Sequence, residues 1–136
     1  MRFVLDASIT ISWCFENQSG PDTEAILERL NASDEATVPF IWAAEVANVL
    51  VISERRHSLT PAQTSEFLEQ LAVLPIQVDS AGTALWFGRI LSTARENRLT
   101  TYDAAYLELA LRDKLPLATL DRDLRRAALA SGVRLI

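Results

Sequence analysis

Soft-metal chemistry and disulfides are the first things this sequence excludes, because it has one cysteine, Cys14, and one histidine, His57. A lone cysteine closes no internal bridge, and a Cys/His zinc cluster needs more ligands than these two. Any bound metal is therefore expected to be a hard cation on oxygen ligands. Glycine is scarce too, at four residues, and with 49% hydrophobic residues the chain is neither disordered nor fibrous. Long apolar runs are missing: none approaches the ~20 residues that span a bilayer, and an acid at position 6 interrupts a secretory core before it begins. No membrane association and a cytoplasmic location are the expectation. Positive charge is also in deficit, with 18 acids against 13 bases and a net charge of −5. That balance argues against a nucleic-acid binder working through bulk positive charge.

What is present is enough for one domain over residues 1–136, long enough to bury roughly two thirds of the surface of the unfolded chain. Arg2 to Leu5 reads as a strand closed by Asp6, followed by a short helix or turn from Ala7 to Phe15. Gly20-Pro21 opens a helix running to about Leu30, with Ile26, Leu27 and Leu30 as its apolar stripe. Thr37 to Pro39 is a second strand. From Ile41 to about Arg56, Trp42, Val46, Val49 and Leu50 recur at helical spacing, with Glu45 in the first turns and Asn48 on its face. Thr60-Pro61-Ala62-Gln63 combines a cap, a proline at the first helical position and a residue able to reach back, so a helix through Leu74 should follow. The short Arg56 to Leu59 link predicts a helical hairpin with the preceding helix. Ile76 to Val78 is a third strand, and Ala81 to Asn97 and Tyr102 to Asp113 are two further helices. Leu117 to Leu120 is a strand, Asp121 to Ala130 a helix, and Val133 to Ile136 a last short strand. Strands alternating with helices predict an α/β fold around a parallel sheet of four to five strands flanked by helices.

Four acids occupy the joints of this pattern: Asp6, Glu45, Asp103 and Asp121. Each has a plain reading on its own, since Asp6 and Asp121 could cap the helices that follow and Asp103 suits a helix's positive end. Glu45 resists such a reading, because it shares a face with Trp42 and Val49, and a buried carboxylate is costly without a partner. Together the four predict a crevice at the carboxyl edge of the sheet, where ligands of open α/β folds bind. Carboxylates so gathered repel and raise one another's pKa values unless a cation neutralises them. Mg²⁺ or Mn²⁺ suits oxygen-only ligands and binds substrate phosphates, so phosphoryl transfer is the chemistry expected. Setting the four acids aside leaves the rest of the chain near neutral. Twelve of the thirteen bases are Arg, which suits phosphate contacts, although a G- and C-rich coding sequence gives the same bias.

Four motifs carry a resemblance: Val4-Leu5-Asp6-Ala7-Ser8, Glu45-Val46-Ala47-Asn48, Tyr102-Asp103-Ala104-Ala105-Tyr106 and Thr119-Leu120-Asp121. In that order they resemble PIN-domain ribonucleases, and more narrowly the VapC-like toxins of bacterial toxin–antitoxin modules. The resemblance covers nearly the whole length. It implies a Rossmann-like three-layer fold, Mg²⁺- or Mn²⁺-dependent endonucleolytic cleavage of RNA, and a homodimer or higher toxin–antitoxin assembly. It also implies a cognate antitoxin whose tail enters the acidic pocket. By position, Asp6, Glu45, Asp103 and Asp121 match the family's acidic quartet, and Ser8, Asn48 and Thr119 match polar positions beside it. Asp123 is open between a metal contact and a solvated first helical turn. Ala44 departs from relatives that carry a polar residue there.

Hydrolysis by an activated water needs no side-chain nucleophile, which agrees with Cys14 and His57 reading as structural. Asp6, Asp103 and Asp121 are the expected direct ligands, and Glu45 either ligates or orients the attacking water. Arg112, Lys114, Arg122, Arg125 and Arg126 are candidates to hold the RNA backbone, against the plainer reading of a solvated face. Trp13, Phe15 and Trp42 are candidates for a groove receiving an antitoxin helix, with core packing the stronger reading of Trp42. Two rivals stand beside this. A receiver-like or phosphatase-like domain would use an Asp as phosphoryl acceptor, but no basic residue ends a late strand. A PIN-fold RNA- or protein-binding module without turnover would keep the fold and the metal and lose the reaction.

Overall fold

The computed structural model describes residues 1–136. Strand β1 (Arg2–Leu5) leads into α1 (Ala7–Ser12), then α2 (Pro21–Ala32), β2 (Glu35–Pro39), α3 (Ile41–Arg55) and α4 (Pro61–Ala72). β3 (Ile76–Asp79) is followed by α5 (Thr83–Leu85), a π-helical segment (Trp86–Ile90) and α6 (Leu91–Asn97). The chain closes with α7 (Thr101–Asp113), β4 (Leu117–Ala118) and α8 (Arg122–Ala130). All strand pairs are parallel, in the order β3-β2-β1-β4, and helices flank the sheet in a three-layer α/β arrangement. No helix is long and apolar enough to cross a membrane.

The strand order has a functional consequence. The chain adds β2 and β3 on one side of β1 and then returns to add β4 on the other, so the order reverses between β1 and β4. In parallel sheets the crevice outside that reversal point is where ligands settle, because the connections leave in opposite directions. β1 lies inside the sheet, and Phe3, Val4 and Leu5 are fully buried, as a strand covered on both faces requires. α7 packs across β1, β2 and β4 and buries an unbroken run from Ala104 to Ala110.

Local sequence signals are met where they are strongest. Thr60 accepts a hydrogen bond from the Gln63 amide at 3.2 Å while Gln63 Oε1 accepts from the Thr60 amide at 2.9 Å, so the capping box forms in both directions. α3 and α4 are tied beyond their short link by Thr64 Oγ1 donating to Glu54 Oε2 at 2.9 Å. α6 and α7 stop at Arg98 and Lys114, which take the left-handed conformation at φ 54° in each case.

Three expectations need correction. Val133 to Ile136 forms only an isolated parallel bridge, Leu135 to Leu117, so the sheet has four strands and not five. β4 stops at Ala118, which leaves Thr119 and Leu120 free to turn their polar groups towards β1. The helix expected from Ala81 to Asn97 is broken by the π-helical segment. Leu85 and Ile90 are five residues apart and both join the cluster containing Ala94, Ala104 and Ala105. An i→i+5 turn aligns that spacing, whereas a regular α-helix would rotate one of the two away.

Glu108 is buried at 2% exposure in the middle of α7, and its carboxylate is matched by Arg112 at 2.9 Å. The same guanidinium donates twice to Asp79 at the end of β3, at 3.1 and 2.8 Å. These bonds to Asp79 and Glu108 hold the Arg112 pKa above its usual range. Arg112→Ala leaves the buried Glu108 unmatched and should lower the free energy of unfolding by about 2–3 kcal/mol, discounted from a fully buried pair because Arg112 is partly exposed. Urea unfolding measures it, and a loss below ~0.5 kcal/mol would mean that water replaces the guanidinium.

Candidate active site

Pairing of Leu5 with Ala118 brings Asp6 and the residues that follow β4, Asp121 among them, to one edge of the sheet. The Asp6 amide donates to the Ala118 carbonyl at 3.0 Å, so the Asp6 side chain emerges beside the residues that follow β4. Although Asp6 precedes α1, its side chain makes no capping bond. Instead Oδ2 accepts from Ser8 Oγ and, at 2.7 Å, from Thr119 Oγ1. Each hydroxyl in turn accepts a backbone amide of the β4–α8 turn, Leu120 on Ser8 and Asp121 on Thr119, both at 3.0 Å. Two amide dipoles are thus relayed through two hydroxyls onto one buried carboxylate oxygen.

The other acids arrive from separate elements. Asp121 caps α8, its Oδ1 accepting the Leu124 amide at 2.8 Å. Asp103 lies in the first turn of α7, with Thr100 as the cap. Glu45 sits one turn into α3, and its Oε1 accepts the Tyr106 hydroxyl at 2.8 Å. Asp6, Glu45, Asp103 and Asp121 together line one pocket of about 310 Å³, with Ser8 and Asn48 in its wall. Thr119 stands behind Asp6, at 1% exposure. Asp123 does not line the pocket; its exposed carboxylate lies 3.6 Å from Arg126, which favours the solvated-turn reading.

Electrostatics agree with crowding. Burial pushes the Asp6 carboxyl above its ordinary range, against the two hydroxyl donors that pull it back. Burial first, and then the charges of Asp6 and Asp103, raise Glu45 to about 7 despite the Tyr106 hydrogen bond. Asp103 rises to about 6 through burial and the charges of Asp121, Asp6 and Asp123. Tyr106, buried against Glu45, is pushed far above the usual phenol range, so its hydroxyl stays a donor. The salt bridges of the molecule include none of the four acids, so their repulsion has no protein counter-charge.

This donor set suits a hard divalent cation, being all oxygen and uncompensated. No three acidic, histidine or cysteine side chains stand in a direct ligating cluster. With roughly 30 Å³ per water, the pocket has room for a cation that keeps part of its water shell, as Mg²⁺ does. The residues suit such an ion chemically, and Asp6, Glu45, Asp103 and Asp121 could hold it partly through its waters.

The outlying candidates separate clearly. Arg112 is committed to Asp79 and Glu108, about 13 Å along α7 from Asp103 at 1.5 Å per residue, and is not a free backbone contact. Arg125 donates to the Thr119 carbonyl at 2.9 Å, and Arg126 pairs with Asp123. Lys114 precedes the amino end of β4, away from the pocket, and Arg122 is exposed at the start of α8 beside Asp121. Trp42 is core, its Nε1 donating to Thr10 Oγ1 at 3.0 Å. Trp13 borders an apolar cleft of about 300 Å³ with Leu27, Phe67, Leu71 and Leu74, whereas Phe15 faces a different cleft. Burial raises the Cys14 thiol, which leaves it a poor nucleophile at neutral pH.

Sequence reasoning missed Tyr106 as the group that holds Glu45. Its place three residues after Asp103, on the same helical face, was the available signal. Thr119 offers a direct check of the relay: Thr119→Val removes both the donor to Asp6 and the acceptor for the Asp121 amide. It should cost about 1–3 kcal/mol in urea unfolding, with Thr119→Ser recovering most of the loss. Equal stability of the Val and Ser variants would show that the hydroxyl is dispensable.

Comparison with known proteins places this geometry. No curated protein sequence matches the chain significantly. Among solved structures, it is similar to VapBC2 from Rickettsia felis bound to a promoter DNA fragment, with a TM-score of 0.70 at 16% identity over 100% of this chain and 98% of that one. PAE2754 from Pyrobaculum aerophilum gives 0.70 at 21% identity, over 93% and 84% of the two chains. A toxin–antitoxin complex from Klebsiella pneumoniae gives 0.62 at 19%, over 89% and 88%. At these identities the likeness speaks for the fold. The family model of the PIN domain matches residues 3–129, nearly the whole chain, and with the acidic pocket at the reversal of a parallel sheet this chain belongs to the PIN domain family.

Proposed function

We propose that this chain, acting as one domain, is a Mg²⁺- or Mn²⁺-dependent endoribonuclease and the toxin of a toxin–antitoxin pair. The observation that carries the reading is the convergence of four carboxylates from four elements on one pocket without any protein counter-charge. A divalent cation in the pocket would polarise the scissile phosphate and lower the pKa of the attacking water. Asp6, Asp103 and Asp121 would hold the cation, and the Ser8 and Thr119 hydroxyls, which donate to Asp6 Oδ2, would fix that carboxylate for it. Glu45, with its pKa raised to about 7 in the absence of metal, is placed to take a proton from water, and Tyr106 fixes its carboxylate. The Asn48 amide, in the pocket wall, is available to a phosphate oxygen or ribose hydroxyl.

Support for the toxin role comes from relatives. The similar chains include VapBC2 and a toxin–antitoxin complex. An antitoxin helix would find an apolar seat in the cleft bordered by Trp13, Phe67 and Leu71. Phe40 and Phe87, 68% and 77% exposed, are apolar side chains available to self-association.

The deciding experiment incubates purified protein with total cellular RNA and Mg²⁺ or Mn²⁺, against EDTA and against Asp6→Asn. Discrete fragments that vanish in both controls are expected. If RNA and metal bind but no fragment appears, the chain is a PIN-fold binding module without turnover. Glu45→Gln separates its two roles: retained metal affinity with lost cleavage assigns it to the water.

A further inference from the structure

Val49 borders two clefts at once. One is the acidic pocket, and the other, about 620 Å³, is bordered by Phe15, Asn17, Gln18, Ile52 and Arg56 among others. Along α3 and its C-cap, Glu45, Val49, Ile52 and Arg56 fall at i, i+4, i+7 and i+11, one stripe of the helix. The two clefts meet at Val49 along a helical stripe about 16 Å long from Glu45 to Arg56, and together are called the trough below. Ser8 and Ile11 of α1 also line the acidic cleft, and Phe15, Asn17 and Gln18 line the other.

The trough's chemistry changes along its length. At the acidic end the wall is carboxylate; at the far end its charged group is Arg56. The Arg56 guanidinium and the amides of Asn17 and Gln18 are exposed and make no side-chain hydrogen bond or ion pair within the chain. That distinguishes Arg56 from Arg112 and Arg125, whose donors are spent internally. A guanidinium takes a phosphate, side-chain amides read base edges, and the half-buried ring of Phe15 offers a stacking surface.

We infer that this trough binds the nucleotides flanking the scissile phosphate of a single-stranded RNA, with Arg56 on a neighbouring phosphate and Phe15, Asn17 and Gln18 on a base. The inference rests on the ribonuclease reading above and adds to it a subsite that sets which sequence is cut.

The test uses the 136-residue chain carrying Asp6→Asn, so that bound RNA stays intact, with Mg²⁺ and a fluorescein-labelled single-stranded RNA of random sequence. Arg56→Ala should weaken binding about fivefold to tenfold and reduce the slope of log K against log salt by about 0.7, the value for one phosphate on a single strand. Asn17→Ala with Gln18→Ala should weaken binding without changing that slope. Lys114→Ala, away from the trough, is the control and should change neither. With Asp6 intact, the trough variants should raise KM for cleavage and leave kcat within about twofold, as loss of uniform binding does. Affinity and slope unmoved by Arg56→Ala, in a protein that still cleaves RNA, would overturn the subsite and leave the ribonuclease reading standing. A parent protein that neither binds nor cleaves RNA would overturn both.

Discussion

Asp6→Asn should abolish cleavage while leaving the melting temperature unchanged or raised. The loss expected is about a thousandfold or more, or ~4 kcal/mol of transition-state stabilisation. Asp6 lies at the centre of the acidic group, and its charge acts on both Glu45 and Asp103. Asparagine keeps the shape and a carbonyl oxygen able to accept from Ser8 and Thr119, so the relay from the β4–α8 turn survives. What disappears is a charge buried to 4% exposure and opposed by neighbouring carboxylates. Removing it relieves desolvation and repulsion, which favours the folded state. Activity and stability therefore move in opposite directions, which distinguishes a functional carboxylate from a structural one. Cleavage within tenfold of the parent would refute the assignment of Asp6. A melting temperature lowered by more than about 5 °C would instead make the charge part of the fold.

Metal-free protein should become less stable as pH rises from about 5 to 8, and a divalent cation should reverse that trend. The sign follows from proton binding. Glu45 is raised from an ordinary 4.5 to about 7, and Asp103 from 3.8 to about 6. The folded state then holds these protons more tightly than the unfolded chain. Their contribution is fully present below the unfolded pKa values and is lost as pH passes through 6 and 7. Both groups are half-exposed, so after allowance for solvent screening the fall in melting temperature should be about 3–6 °C. A cation binds the deprotonated acids, and its stabilising shift should therefore grow with pH, reaching roughly 2.7 kcal/mol at a hundred times its Kd. Differential scanning fluorimetry across pH, with and without Mg²⁺, measures both slopes, and Glu45→Gln should flatten the metal-free curve. A metal-free melting temperature that climbs from pH 5.5 to 8 would contradict the crowded-carboxylate account.

The strand-then-acid pattern made the gathering of the four acids in one pocket legible in the sequence. Asp6 closes an apolar run and Asp121 follows another, and parallel pairing carries both to one edge. Glu45 stood out because a helical stripe claimed its position for the core. The Thr60 cap was legible for the same reason that it forms: the bonds span only three residues. What stayed hidden depends on distant partners. Nothing near Arg112 announces Asp79, 33 residues earlier, as the acid that engages it. Tyr106 read as an apolar knob of α7, and only its hydroxyl on Glu45, 61 residues away, gives it a second task. The last four residues carry strand-like composition, yet β4 is two residues long and offers them a single bridge. The π-helical segment was illegible because a five-residue spacing is also what an irregular α-helix shows.

The span of the Thr119 to Asp6 hydrogen bond, 113 residues, has a consequence for the order of events during synthesis. A ribosome adds roughly 5–20 residues per second and releases the N-terminus first. Asp6 is made 113 residues before the hydroxyl that orients it, and the carboxylate of Asp121 follows later still. β1 likewise gains its β2 neighbour early and its β4 neighbour late. A nascent chain therefore carries Asp6 without a completed pocket until β4 and the turn after it are made. For a protein that would cut RNA, the machinery translating it works beside an unfinished pocket until β4 and the turn after it have emerged.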